Sequence, residues 1–185
     1  NAWVGEGLGR YTPCLHEATA VLAALGHAEV TGRTGVATVT HGPALTNTMT
    51  ALAEGVKAGI PLVVLAGDTA PGDLQHLQKI DQREVVAAAG AGFVEMRSPD
   101  TALHDLERAF RLAAHERRPV VFNMRVDLQW APCPEIPALS LPPGIRLAAA
   151  DEDDLMDAAG MLAAARRPLI LAGRGAIGCR EALVR

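Results

Sequence analysis

Aromatic residues are scarce in this 185-residue chain: three Phe, two Trp and one Tyr, 3% of the sequence. With so few rings to stack on bases, and 17 Lys and Arg against 21 Asp and Glu, the composition argues against a nucleic-acid partner. Cysteine is also sparse. Cys14, Cys133 and Cys179 lie far apart and are odd in number, which supports neither a disulfide framework nor a Cys-x-x-Cys metal site. A reducing cytoplasm is the expected compartment. No apolar run approaches the ~20 residues that a membrane-crossing helix needs. The chain opens on Asn1-Ala2-Trp3 with neither an initiator Met nor a secretory signal, so it reads as cut or as part of a larger molecule.

What is abundant is small and apolar. Hydrophobic residues make up 49% of the chain, many of them Ala, which suits tightly packed helices against a sheet. Short β-branched runs alternate with longer helical stretches. Strands are predicted over 36–40, 61–66, 93–96 and 119–126, each apolar on both faces as strands between helix layers are. Helices are predicted over 17–30, 44–58, 84–89 and 101–116. In the last, Leu103, Leu106, Ala109, Phe110 and Ala113 recur at helical spacing, with His104, Asp105, Glu107 and Arg108 on the other face. This alternation predicts an α/β fold: a doubly wound, mainly parallel sheet with helices on both faces.

The expected first domain is 1–130. Pro132, Pro134, Pro137, Pro142 and Pro143 mark a linker over 131–147. Residues 148–185 read as the beginning of a second α/β domain. It has a helix over 151–166 with an acidic first turn and a basic last turn, a strand over 168–172, and a Gly-rich tail.

Two segments hold candidate chemistry. Thr40-His41-Gly42-Pro43-Ala44-Leu45-Thr46-Asn47 follows a strand and opens a helix, the end of an open α/β sheet where ligands bind. Taken alone it is also an ordinary strand–helix turn. Leu15-His16-Glu17-Ala18 precedes an apolar helix, where an acid commonly serves the helix dipole and His16 an unremarkable surface role.

The order of the pieces is more specific than any one of them. His16-Glu17, a helix, Thr31-Gly32, a strand, Gly42-Pro43 with Thr46-Asn47, Pro61-Leu62-Val63 and Gln78-Lys79-Ile80-Asp81 follow in turn. From about Tyr11 to Asp127 this resembles the pyrimidine-binding domain of the thiamine-diphosphate enzymes that include acetolactate synthase, pyruvate oxidase and benzoylformate decarboxylase. Residues 167–176 resemble the opening of the central domain of the same family. There are departures. Ala44 stands where the family has a second glycine, and Met124-Arg125-Val126-Asp127 replaces its Ile-Pro-x-Asp. Ala91-Gly92 occupies the place where many acetolactate synthases carry a lysine.

The resemblance implies a thiamine-diphosphate enzyme acting on a 2-oxo acid, by decarboxylation or carboligation through a C2 ylid and an enamine. It implies that Glu17 is the catalytic carboxyl group that meets N1′ of the aminopyrimidine, with a pKa raised in a dry site. It implies further that Thr40, Gly42, Pro43 and Asn47 bind the cofactor and that Gln78 and His41 stand near the substrate. Magnesium would be held by a diphosphate-binding domain absent from this chain, and none of these residues is expected to ligate a metal. The site would form with a neighbouring subunit, in a homodimer or homotetramer, so that the fragment alone is inert.

Three alternatives stay open. Gly173-Arg174-Gly175-Ala176-Ile177-Gly178 fits a dinucleotide fingerprint, so FAD is an open second cofactor; some family members bind it on the central domain. The domain is alternatively a non-catalytic dimerisation partner that keeps the fold. A natural split enzyme, with its diphosphate domain on another polypeptide, is the third.

Overall fold

A computed structural model describes residues 10–132 and 149–184. The chain divides into two units, Asn1–Ile145 and Arg146–Arg185. The Pro-rich linker, apart from Ala131 and Pro132, lies outside the described residues, as does Cys133.

The first unit carries a four-stranded parallel sheet of β1 (Gly35–Val39), β2 (Leu62–Asp68), β3 (Gly92–Glu95) and β4 (Pro119–Arg125), in the order β1-β2-β4-β3. Register runs Val39 to Ala66 and Ala66 to Asn123, so the carboxyl ends of β1, β2 and β4 lie side by side. The helices are α1 (Glu17–Thr31), α2 (Pro43–Thr46), α3 (Met49–Ala58), α4 (Gln82–Ala88), α5 (Ala102–Glu116) and α6 (Val126–Gln129).

The two faces of the sheet are covered by different helices. On one, Val21, Leu25, Leu52 and Val86 from α1, α3 and α4 pack on Ala37, Val39, Leu62, Val64 and Val121. On the other, Ala109 and Ala113 of α5 pack on Val63, Val94, Val120 and Phe122. Connection direction explains the split. The chain steps one way across the sheet from β1 to β2 to β3, then back from β3 to β4, and right-handed crossovers put the returning helix on the opposite face. The α/β fold is thus as the sequence pattern implies, with helices on both faces of the sheet; β1 departs from the expected burial on both faces, since Val36 and Thr38 on its second face are exposed.

Small residues set the layer spacing. A Cβ on Gly35 would lie 2.3 Å from the Ala24 carbonyl oxygen, and one on Gly55 would lie 2.6 Å from Pro119 Cγ. The close approach of α1 to β1 and of α3 to β4 therefore depends on glycine.

Several elements differ from expectation. The helix foreseen over 44–58 breaks into α2 and α3. Thr46 Oγ1 donates to the Pro43 carbonyl at 2.8 Å and Thr48 Oγ1 to the Leu45 carbonyl at 2.7 Å, while the Thr48 amide also turns to Leu45. Side chains competing for backbone acceptors tighten the helix and end it. Helix α4 begins two residues earlier than expected, because Asp81 Oδ1 accepts from the Glu84 amide at 3.1 Å and caps it. Asp105, assigned to the polar face of α5, is fully buried. Its carboxylate takes the Arg97 side chain at 2.7 Å, the Arg97 amide at 3.1 Å and Thr101 Oγ1 at 2.8 Å, which compensates the burial.

The second unit holds α7 (Glu152–Ala164), a 3-10 helix (Arg174–Cys179) and α8 (Arg180–Val184). Helix α7 ends before Arg166, so the expected basic last turn is absent. Residues 168–172 are not a strand, and Leu169, Ile170 and Leu171 are exposed. A strand needs a neighbour for its ladder, and no strand is described in this unit. The Gly173–Gly178 motif accordingly runs from an extended Gly173 into the 3-10 segment, without the preceding strand of a dinucleotide fingerprint. Among the described residues no helix is long and apolar enough to cross a membrane.

Candidate active site

Glu17 is the first residue of α1, and His16 is its N-cap: Nδ1 of His16 accepts from the Ala18 amide at 3.1 Å. His16 thus serves the helix end and aims the carboxyl group that follows. Asn47, at the end of α2, donates its Nδ2 to Glu17 Oε2 at 3.0 Å. The short α2 and its abrupt end bring this about, since a continuous helix from 44 would carry Asn47 on with its turns.

Hydrogen bonding from Asn47 lowers the Glu17 pKa, helped by its own backbone amide, and the opposing effect of burial is smaller. This reverses the raised value expected from a dry pocket. The reason is exposure: within this chain the carboxylate is only partly covered, so a donor on the anion outweighs desolvation.

The remaining candidates surround the turn after β1. Thr40 Oγ1 lies 3.2 Å from His41 Nδ1. Nε2 of His41 is buried without a hydrogen-bond partner, and its ring centroid is 5.2 Å from that of His76. Gly42 has φ 61° and ψ −116°, a conformation closed to other residues, and it leads directly into Pro43 at the start of α2. The Gln78 carbonyl oxygen lies 2.1 Å from where a Gly42 Cβ would stand. The Gln78 backbone therefore packs against the Gly42 turn.

Glu17 and Thr40 also line a groove of about 760 Å³ between the segment 10–16, α1 and the edge strand β1. Gly42, Pro43, Asn47, Gln78 and His41 lie outside that lining. Among the described residues no group of His, Cys, Asp and Glu could hold a metal ion.

Two buried residues escaped the sequence reading. Gln82 Oε1 accepts from the Gly42 amide at 2.7 Å, and its Nε2 donates to the Gly67 carbonyl at 2.8 Å and to Asn123 Oδ1 at 2.6 Å. Asn123 Nδ2 donates to Asp68 Oδ2 at 2.8 Å. A signal exists for Asn123: it is a lone amide between the apolar run Val120-Val121-Phe122 and Met124, and a buried polar group requires a partner. Gln82 carries no such mark.

The family of thiamine pyrophosphate enzymes, N-terminal TPP binding domain, matches residues 6–87, the stretch that holds Glu17, the Gly42 turn, Asn47 and Gln82. Over those residues the chain is similar to the cofactor-binding domain of the thiamine pyrophosphate enzymes. Relatives of this domain extend the likeness over nearly the whole chain. A probable 2-ketoarginine decarboxylase of Pseudomonas aeruginosa is 33% identical over 97% of this chain and 33% of its own length. An acetolactate synthase of Mycobacterium bovis is 31% identical over 91% of this chain and 28% of its own length. The large subunit of acetolactate synthase isozyme 2 of Escherichia coli is 27% identical over 92% and 31% respectively. The chain thus spans about a third of the length of the relatives it matches.

Proposed function

We propose that the protein is a thiamine-diphosphate-dependent enzyme that decarboxylates or joins 2-oxo acids, and that this chain supplies the half of its site that holds the aminopyrimidine. The observation that carries the reading is the Glu17–Asn47 pair beside the Gly42–Pro43 turn. A partly exposed carboxylate next to a side-chain amide matches a ring that offers a basic nitrogen and an exocyclic amine, so the donor set fits the cofactor. The names of the relatives, a 2-ketoarginine decarboxylase and acetolactate synthases, support a 2-oxo acid as the substrate class.

When bound, thiamine diphosphate supplies a carbon nucleophile for the substrate carbonyl, and the protein's part is to hold and polarise it. In our assignment Glu17 shares a proton with N1′. Thr40, Gly42, Pro43 and Asn47 line the pyrimidine, and Gln78 and His41 face the substrate. Glu17 sits below its ordinary pKa range in the described residues, so holding a proton requires cover from elsewhere. We assign that cover to the bound cofactor and a neighbouring subunit of a homo-oligomer. We assign magnesium and the diphosphate to residues outside those described, and the whole to the cytoplasm. FAD gains no support from the 3-10 geometry at Gly173–Gly178.

The test is deuterium exchange at C2 of thiamine diphosphate on the full-length protein with magnesium, comparing wild type with Glu17→Gln. Fast exchange that collapses in the variant is the expected result. Equal exchange in both, or no cofactor binding, would leave a non-catalytic dimerisation domain as the reading.

A further inference from the structure

The turn that opens α2 is anchored from inside the sheet. Gly42 is buried, and a buried amide left unpaired costs about as much as a lost hydrogen bond. Its partner is Gln82 Oε1 at 2.7 Å. Gln82 is itself 3% exposed and uses both amide hydrogens, on Gly67 at the end of β2 and on Asn123 in β4. Asn123 in turn donates to Asp68.

Three hydrogen bonds therefore run head to tail from the Gly42 amide to the Asp68 carboxylate, every donor pointing toward the anion. Bonds aligned in this way polarise and strengthen one another. The order also fixes the Gln82 amide. Turned over, it would set nitrogen against the Gly42 N–H and oxygen against two other oxygens.

From Gly42 the constraint passes outward. The Gly42 carbonyl accepts from the Thr46 amide at 3.1 Å and the Pro43 carbonyl from the Asn47 amide at 3.0 Å, so one helical turn ties the glycine to Asn47. Asn47 then reaches Glu17. We propose that Gln82 is a positioning residue for the Glu17–Asn47 pair, holding the Gly42 turn through its side-chain oxygen and fastening that turn to β2 and β4. It acts only through these neighbours, and the proposal rests on the role of Glu17 given above.

Gln82→Met keeps the length of the side chain and removes all three of its bonds. Gln82→Glu keeps the acceptor for Gly42 but faces two oxygens without a donor, unless its carboxyl group is protonated. The full-length protein with thiamine diphosphate and magnesium gives two readouts: backbone amide exchange over residues 41–48, and C2 deuterium exchange as a function of pH. Leu106→Ala, on the opposite face of the sheet, serves as a destabilised control.

In Gln82→Met, amide exchange over 41–48 should quicken and C2 exchange should fall about 10- to 100-fold, the scale of a misplaced reacting group. The C2 rate of Gln82→Glu divided by that of wild type should rise as pH falls, as protonation of the introduced carboxyl group restores a donor toward Gly67 or Asn123. Leu106→Ala should move neither readout. C2 exchange in Gln82→Met equal to wild type, with Glu17→Gln inactive, would overturn the role of Gln82 and leave the proposed function standing. Wild type that neither binds nor exchanges would overturn the proposed function, and the role of Gln82 with it. Should Gln82→Met fail to fold, a flat pH ratio for Gln82→Glu overturns the proposal by itself.

Discussion

Asn47 Nδ2 lies 3.0 Å from Glu17 Oε2, joining the end of one helix to the start of another across thirty positions of chain. The pair needs three local features at once. His16 caps α1 and fixes where the carboxyl group begins, Thr46 and Thr48 end α2 early, and Gly42 sets the direction of α2.

The first prediction concerns charge. The Asn47 amide stabilises the Glu17 anion, so removing it should let the Glu17 pKa rise toward the ordinary carboxylate range. Asn47→Leu should move the Glu17 midpoint upward in a carbon-13 carboxyl NMR titration. An unchanged midpoint would mean that the pair does not form in solution.

The second concerns the turn. Gly42→Ala places a side chain at φ 61° and ψ −116° with its Cβ against the Gln78 carbonyl. The backbone conformation alone should cost about 1–3 kcal/mol, and the overlap adds to it. Gly72→Ala is the comparison, since nothing lies within 4 Å of its Cβ position. Urea denaturation should show a clear loss for the first and little change for the second; equal midpoints would contradict the turn geometry.

These sites also show what sequence can carry. The strands were legible because each is mostly apolar and bounded by Gly or Pro, as in Gly59-Ile60-Pro61 before β2; β2 and β4 are buried on both faces, whereas β1 alternates, with Val36 50% exposed. Glu17, the Gly42 turn and Asn47 stood out through their order along the chain. The break at Asn47-Thr48 did not, because Thr and Asn count as weak helix formers and their grip on the backbone depends on the turn before them. Periodicity assigns Asp105 to the polar face, because it registers spacing and not the arrival of Arg97 from outside the helix. Gln82 was hidden for the same reason: its partners Gly42, Gly67 and Asn123 are brought to it only by the folded sheet.

Asp105 supports the third prediction, on pH. Burial pushes its pKa up, but hydrogen bonds from the Arg97 side chain and amide and from Thr101, with the Arg97 charge, outweigh this and hold it below the ordinary value. A group with a depressed folded pKa stabilises fully above its unfolded pKa, ~3.9 for Asp, and loses that contribution as pH falls through the folded value. Asp105→Asn turns an amide donor toward donors of Arg97, and should cost about 1–3 kcal/mol near neutral pH through the buried groups left unpaired. Because Asn does not titrate, the gap between wild type and variant should narrow once pH drops below about 4. Denaturant midpoints for both proteins between pH 7 and pH 3 check this. A gap that stays constant across that window would show that Asp105 titrates alike in the folded and unfolded chains, and that Arg97 and Thr101 do not hold the carboxylate as described.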